Sequence, residues 1–506
     1  MRSVYGFLAV LVLLTLAIAA CTRVTAPLPR DELVVAVRDS SPFAPEEGGG
    51  FERDLVELFA QELGLRLRVI PVRDYSELTV LLREGKAHFA ASPNISENPE
   101  GIRYTQPLRE AEHLLVQSAD ALGIDDIDGL VGKEIEVLES SPQAALLKLM
   151  NVKQSLVAAA NAKDTATVRF LVAEQRGLNG IDLLERVSEG KSELAAIDSL
   201  DFSIAASFFP NLQVAQKLEG QVRFAWAFPV NGDPLLFEKA QRFIARVKSE
   251  GTLARLNDRY FGHLHRLDQL SISWFLQRVN STLPRYRAEF VAAQEMTGID
   301  WRLLAALAYQ ESMWNPLATS PTNVRGMMML TEETADRLKV SNRLDARQSI
   351  RAGARYLNDI IAALPAEIPQ PDRTWMGIAA YNLGQGHMNG ALAIARSMER
   401  DTTSWYEMKQ VLPLMARPEY YRRLKSGRAR GGEAVIMVEN IRKFYDILSR
   451  FEPQEGLNLN IDRYTLNAST GLRQAQARAG AEGGPSQEAG LVGPALIKAT
   501  QLISRR

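Results

Sequence analysis

The sequence predicts a two-lobed α/β module followed by an all-α domain, and three observations predict it. Between Leu33 and about His263 short β-rich runs alternate with amphipathic helical ones. The alternation restarts after Gly123–Gly132, which implies two similar lobes, and from about Ser271 it gives way to long helical patterns. At 506 residues the chain has room for more than one core, since single domains run to about 100–200 residues. It is 46% hydrophobic, 24% charged and 7% aromatic, the make-up of a chain that buries ordinary cores. With 59 Lys and Arg against 60 Asp and Glu the net charge is −1. No global field draws it to nucleic acid, and a nucleic-acid partner is not expected.

The elements follow in order. Gly6–Ala20 is continuously apolar behind Arg2 and shorter than the roughly 20 residues that span a bilayer, so residues 1–20 read as a signal peptide. The single cysteine, Cys21, follows Ala19 and Ala20, a run that resembles the lipobox of bacterial lipoproteins. The resemblance implies lipidation of Cys21, cleavage before it, and a membrane anchor of several acyl chains. Thr22 stands where an Asp would imply inner-membrane retention, which points to the periplasmic face of the outer membrane. The alternative is an uncleaved anchor with an incidental thiol.

After a linker at 21–30, the module at 31–265 begins with LVVAV (Leu33–Val37), FERDLVELFAQELG (Phe51–Gly64), LRLRVI (Leu65–Ile70), YSELTVLLREG (Tyr75–Gly85) and HFAAS (His88–Ser92). This is the grammar of a parallel α/β sheet. The second series opens with KEIEVLE and runs to ELAAIDSLDF (Glu193–Phe202); VRFAWAFP (Val222–Pro229) reads as a return strand before the helix FEKAQRFIARVKSEG. GFERDLVELFAQELG, LREGKAHFAASPNISENPEGIRYTQPL and GTLARLNDRYFG, in this order, resemble bacterial extracellular solute-binding proteins of family 3. The resemblance implies a periplasmic-binding-protein-like fold that closes on a ligand. Amino-acid binders of that family use an Arg for the ligand carboxylate and an Asp for its ammonium. Here the Arg position is Asn98, the acidic position is matched by Asp198, and Arg103 lies nearby. A regulatory ligand, muropeptide or amino-acid-like, and a bare spacer both remain open readings.

A junction at 266–281 leads to a helical domain at 282–450, and residues 451–506 turn polar and read as a disordered tail. In WRLLAALAYQESMWNP, Leu304, Leu307, Ala308 and Glu311 share one helical face, so a carboxylate ends an apolar stripe. Desolvation and the negative helix end both favour its protonated form, as a general acid requires. Alone, this could equally be a Glu closing an amphipathic helix. Downstream come VRGMMMLTEETADRL (Val324–Leu338) and GIAAYNLGQGH (Gly377–His387). The E-S pair, G-M-M-M-L-T turn and A-Y-N-x-G end together resemble the soluble-lytic-transglycosylase domain, related to goose-type lysozyme.

What the resemblance implies is a lysozyme-like fold acting on peptidoglycan glycan strands, with Glu311 as the sole catalytic acid/base. Ser312 would contact the sugar or reacting centre, Met327 and Met328 would line the saccharide groove, Tyr381 would sit against Glu311, and Asn382 would hold the loop. Gly326 marks a close backbone turn, although core filling is the commoner job of Met. Met437 stands where the family often has Tyr. The implied reaction is non-hydrolytic: a substrate hydroxyl replaces the second carboxylate that ordinary glycosidases need, and Glu332 and Glu333 read as helix-start residues. Alternatives are a lysozyme-like hydrolase and a non-catalytic, wall-anchored receptor. Only five His occur, and His263 and His265 have no further ligands at metal spacing, so no metal or other cofactor is expected.

Overall fold

The computed structural model describes residues 31–38, 50–72, 75–91, 101–124, 127–160 and 170–452. Residues 1–20, Cys21, Thr22, Asn98 and the tail beyond residue 452 lie outside the described residues. The chain first builds β1 (Glu32–Arg38), α1 (Phe51–Leu63), β2 (Arg66–Val72), α2 (Tyr75–Arg83), β3 (Phe89–Ala91) and β4 (Ile102–Tyr104). It then crosses to a second lobe made of β5 (Arg109–Ser118), β6 (Glu134–Leu138), α3 (Pro142–Ala160), β7 (Leu171–Gln175), α4 (Gly180–Ser188), β8 (Leu194–Asp198), α5 (Ser199–Ala205) and β9 (Leu212–Phe224). It returns to the first lobe as β10 (Ala227–Pro229), α6 (Pro234–Ser249) and α7 (Thr252–Phe261).

Each lobe holds one five-stranded sheet, ordered β2-β1-β3-β10-β4 and β7-β6-β8-β5-β9. The sheets are mixed, not wholly parallel as the alternation suggests: β10 runs antiparallel to β3 and β4, and β5 antiparallel to β8 and β9. The double crossing is the cause, because strands that enter a lobe from the hinge run against those built within it. VRFAWAFP is accordingly not one strand. Phe224 ends β9 in one lobe and Ala227 starts β10 in the other, and the two passages are tied by Thr105 N–H to Trp226 O (2.9 Å) and Leu108 N–H to Phe224 O (2.7 Å). Trp226 is fully buried in the first lobe, against Phe89 (4.8 Å) and Phe243 (5.7 Å).

The helical body comprises α8 (Gln269–Ser281), α9 (Arg287–Thr297), α10 (Trp301–Ser312), α11 (Glu332–Arg337), α12 (Ala346–Ala363), α13 (Asp372–Leu383), α14 (Gln385–Ser397), α15 (Trp405–Val411), α16 (Pro418–Tyr421) and α17 (Gly431–Phe451). Most of the expected junction is therefore α8. It belongs to the helical body because Ile272, Phe275, Leu276 and Val279, one turn apart, are buried in that core. Phe275 meets Tyr309 of α10 at 4.5 Å and Phe444 of α17 at 4.4 Å.

Helix α17 also joins the modules. Its Arg442 donates to the carbonyls of Asp258 (3.0 Å) and Arg259 (2.5 Å) near the end of α7. Lys443, fully buried, donates to Ser207 Oγ and to Leu264 O (2.8 Å). Asp446 pairs with His263 Nε2, and Arg450 reaches Glu185 of α4 at 3.0 Å. One helix thus holds both lobes of the module.

Candidate active site

Helix α10 starts at Asp300, whose carboxylate accepts from Arg302 N–H, and continues through Leu303–Ala308, all buried. It stops at Ser312, before Asn315 and Pro316, because Met313 and Trp314 both take left-handed backbone (φ 53° and 57°). Two such non-glycine residues cost about 1–3 kcal/mol each unless the surroundings enforce them. Here Trp314 is buried, donates its indole N–H to Ala305 O (2.8 Å) and packs on Tyr309 (4.9 Å). The sharp stop leaves Glu311 half-buried in the last helical turn.

The turn at Gly326–Leu330 holds Ser312 from below. Gly326 has φ 88°, and a Cβ there would lie 1.9 Å from Arg343 O, so the position admits only glycine. Three side chains from three helices pin its peptide units. Ser312 Oγ donates to Met327 O (2.8 Å), Ser349 Oγ of α12 accepts from Met328 N–H (3.1 Å), and Tyr381 Oη of α13 donates to Met328 O (2.7 Å). Gly353, one turn after Ser349, gives the Met328 side chain its space, since a Cβ there would sit 2.6 Å from Met328 Cβ.

This geometry revises several roles. Met327 and Met328 are fully buried, so their side chains fill the core beneath the site and do not line a groove. Ser312 is 5% exposed with its proton committed to backbone carbonyls, which makes it a pin of the turn and takes it out of direct sugar contact. Tyr381 is buried, and Asn382 is exposed in the last turn of α13. Met437 is buried in α17. Glu332 and Glu333 are exposed at the start of α11. In the module, Asp198 is 2% exposed and its Oδ1 caps α5 through Leu200 and Asp201 N–H (3.0 Å each), with buried His113 opposite it in the β5–β8 register. Arg103 in β4 donates to Asp233 O (3.2 Å) and lies over Phe237, so its guanidinium is engaged within the first lobe.

Electrostatically, Glu311 stands alone. Burial pushes its carboxyl up to about 8, with no cation and no second carboxylate contributing among the described residues. Tyr381 is raised far above a phenol's usual range by burial and then by Glu311. Tyr356 of α12 packs 5.1 Å from the Tyr381 ring and under the Arg337 guanidinium. The sequence reading passed over Ser349 and Tyr356. Their signal is faint: Ser349, Gly353 and Tyr356 fall at i, i+4 and i+7, one face of α12. The arrangement can deliver a proton at neutral pH, and take it back, from a single carboxyl. No group of His, Cys, Asp and Glu among the described residues could hold a metal ion.

Two family models match this chain: bacterial extracellular solute-binding proteins, family 3, over residues 33–263, and the transglycosylase SLT domain over 289–403. The membrane-bound lytic murein transglycosylase F of Nitrosospira multiformis is 38% identical over 462 residues, covering 90% of this chain and 94% of that one. Its counterpart from Thiobacillus denitrificans is 38% identical over 466 residues, 89% and 95% of the two chains. A solved ancestral arginine-binding protein bound to arginine aligns with 46% of this chain and 99% of its own at 19% identity, with a TM-score of 0.38. The fusion of these two domains, with the family's E-S, G-M-M-M and A-Y-N motifs gathered at one site, makes the chain a member of the membrane-bound lytic murein transglycosylase F family.

Proposed function

We propose that this chain cuts the β-1,4 bond between N-acetylmuramic acid and N-acetylglucosamine in peptidoglycan, leaving 1,6-anhydromuramoyl ends. The observation that carries this reading is Glu311 in the last turn of the apolar helix α10, beside the pinned Met turn and with no second carboxylate or cation acting on it among the described residues, so that burial pushes its carboxyl up to about 8. Protonated at neutral pH, it gives its proton to the glycosidic oxygen as the C1–O bond breaks. The oxocarbenium-like centre that forms is stabilised by the substrate's own acetamido group. The Glu311 carboxylate then removes the proton of the muramoyl C6 hydroxyl, whose oxygen bonds to C1 and closes the anhydro ring. Glu311 ends protonated, as it began, and no water is consumed. A single carboxyl suffices because the second nucleophile is internal to the substrate, whereas two-carboxylate glycosidases activate water or attack the sugar themselves.

Ser312, Ser349 and Tyr381 support this chemistry by fixing the Met turn against the Glu311 helix end. Exposed Asn382 is the residue of the A-Y-N motif free to meet substrate. Lipidation of Cys21, with the enzyme held at the periplasmic face of the outer membrane, belongs to the same proposal. So does regulation through the two-lobed module by wall-derived muropeptides, for which α17, in contact with both lobes and with α10, supplies a physical path. The deciding experiment is mass spectrometry of a peptidoglycan digest. Anhydromuramoyl products, each lighter by one water than hydrolytic ones, are expected; reducing-end muramic acid as the main product would replace this reading with a lysozyme-like hydrolase.

A further inference from the structure

The segment from α16 to the start of α17 concentrates charge in a chain whose net charge is −1. Arg417, Arg422, Arg423, Lys425, Arg428 and Arg430 lie within it against one carboxylate, Glu419. All six cations are exposed, and among the described residues only Arg430 pairs with an acid, Glu433 at 3.2 Å. The loop is nevertheless firmly held. Ala429 N–H donates to Met415 O (3.2 Å), and Leu424 seats on Gly390 of α14 so closely that a Cβ there would come within 3.2 Å. Gly431 lets α17 start against Leu412, whose carbonyl a Cβ would meet at 1.9 Å.

That anchorage places the cations near the catalytic helices. Helix α14 begins directly after α13, which carries Tyr381 and Asn382. Gly390 lies six residues past Gly384, about 9 Å along the helix. A firmly held basic surface is thus tied to α14, the helix that directly follows α13. Guanidinium groups suit carboxylates, which they can grip with two parallel hydrogen bonds. The substrate named above carries such groups: each muramic acid bears a peptide that ends in free carboxylates.

We propose that this basic loop docks the stem-peptide carboxylates of the strand being cut, so that the enzyme prefers peptide-bearing glycan to bare glycan. The inference rests on the peptidoglycan-cleaving reading. An anionic membrane would also attract the cations, but a membrane-facing patch presents apolar side chains outward. Here Tyr420 and Tyr421 are half-buried and Leu424 is tucked onto α14.

The test uses the full chain with Arg422→Glu, Arg423→Glu and Lys425→Glu combined, and the milder Gln triple variant as a check on folding. Substrates are intact strands and the same strands stripped of peptide by an amidase. On intact strands KM should rise about 5–30-fold in the Glu variant, with kcat unchanged and a flatter salt dependence, as for several exposed ion pairs acting together. On stripped strands KM should stay within about twofold of the wild type. An equal rise on both substrates, or none on either, would overturn the proposal. Lost co-sedimentation with phosphatidylglycerol vesicles at unchanged KM would do the same, by assigning the cations to a membrane. A wild-type chain that cuts neither substrate would instead strike the functional reading itself.

Discussion

Two glutamates of the helical body, Glu311 and Glu439, teach opposite lessons about burial. Both sit on long helices against apolar cores. At Glu439 burial works to raise the carboxyl, yet Arg442, Lys409 and the Trp405 indole overcome it and hold the group below its ordinary value. Arg442 reaches both oxygens at 3.1 Å and Trp405 Nε1 donates at 2.8 Å. Glu311 has the burial without the partners, and its carboxyl rises to about 8. Desolvation alone makes an acid, whereas desolvation with donors makes a fixed anion. The first can exchange protons with a substrate; the second holds two helices and the α7 seam together.

The largest expected effect tests the acid. Glu311→Gln keeps the shape and removes the proton, so turnover of peptidoglycan should fall by about 10²–10⁴ or more while the fold persists. Activity within about tenfold of wild type would end the assignment. The mirror experiment is Glu439→Gln, which takes the paired carboxylate charge away from buried Arg442. Urea unfolding should show a loss of about 3–5 kcal/mol, typical of breaking a buried pair from one side, with turnover per folded molecule preserved. A loss of turnover at unchanged stability would mean that Glu439 is not the passive member of the comparison.

The pH dependence sharpens the contrast. Because the folded-state value of Glu311 lies above its ordinary 4.5, the folded chain binds more protons than the unfolded chain between about pH 4.5 and 8, and this group's contribution to stability falls across that window. Glu311→Gln abolishes the effect. The variant should therefore match the wild type at pH 4 and exceed it at pH 8 by about 4 kcal/mol in urea titrations. Lytic activity of the wild type should decline as pH rises through about 8. The smallest effects belong to the pins. Tyr381→Phe and Ser349→Ala each remove one hydrogen bond to Met328, so each should cost about 1 kcal/mol in stability and a several-fold loss in kcat. Ser349→Ala with kcat unchanged would show that the turn does not need its α12 contact.

How much of this could be read beforehand differs between the fold and the site. The helices of the first lobe follow their apolar periodicity closely: Phe51, Leu55, Val56, Phe59 and Ala60 are the buried face of α1. Glu311 stands out as a candidate in the sequence because three separated motifs accompany it, and the structure brings two of them, the Met turn and Tyr381, together with the end of its helix. Strand direction was not, since β10 pairs with β3 and β4 only after the chain has crossed the hinge twice, and nothing local to Ala227–Pro229 encodes that. The 266–281 junction is mostly helix α8, whose polar N-terminal turn precedes an apolar stripe that begins at Ile272. The Met turn misled for another reason. A motif records that residues belong to a site, but not whether a side chain faces the ligand or supports it from behind, and at Met327, Met328 and Ser312 the support role prevails.

Lys443 carries a practical consequence. Its amine is sealed between Ser207, Leu264 and α17, and burial brings it down to about 8 from the ordinary 10.5. An acylating reagent cannot reach it while the modules stay docked, and every event that parts them exposes it. The rate at which Lys443 is labelled, followed by peptide mapping beside the exposed Lys425, is thus a clock for how often the two halves of the molecule separate. It needs no introduced probe, and it would read directly whether a wall fragment bound in the module changes that frequency.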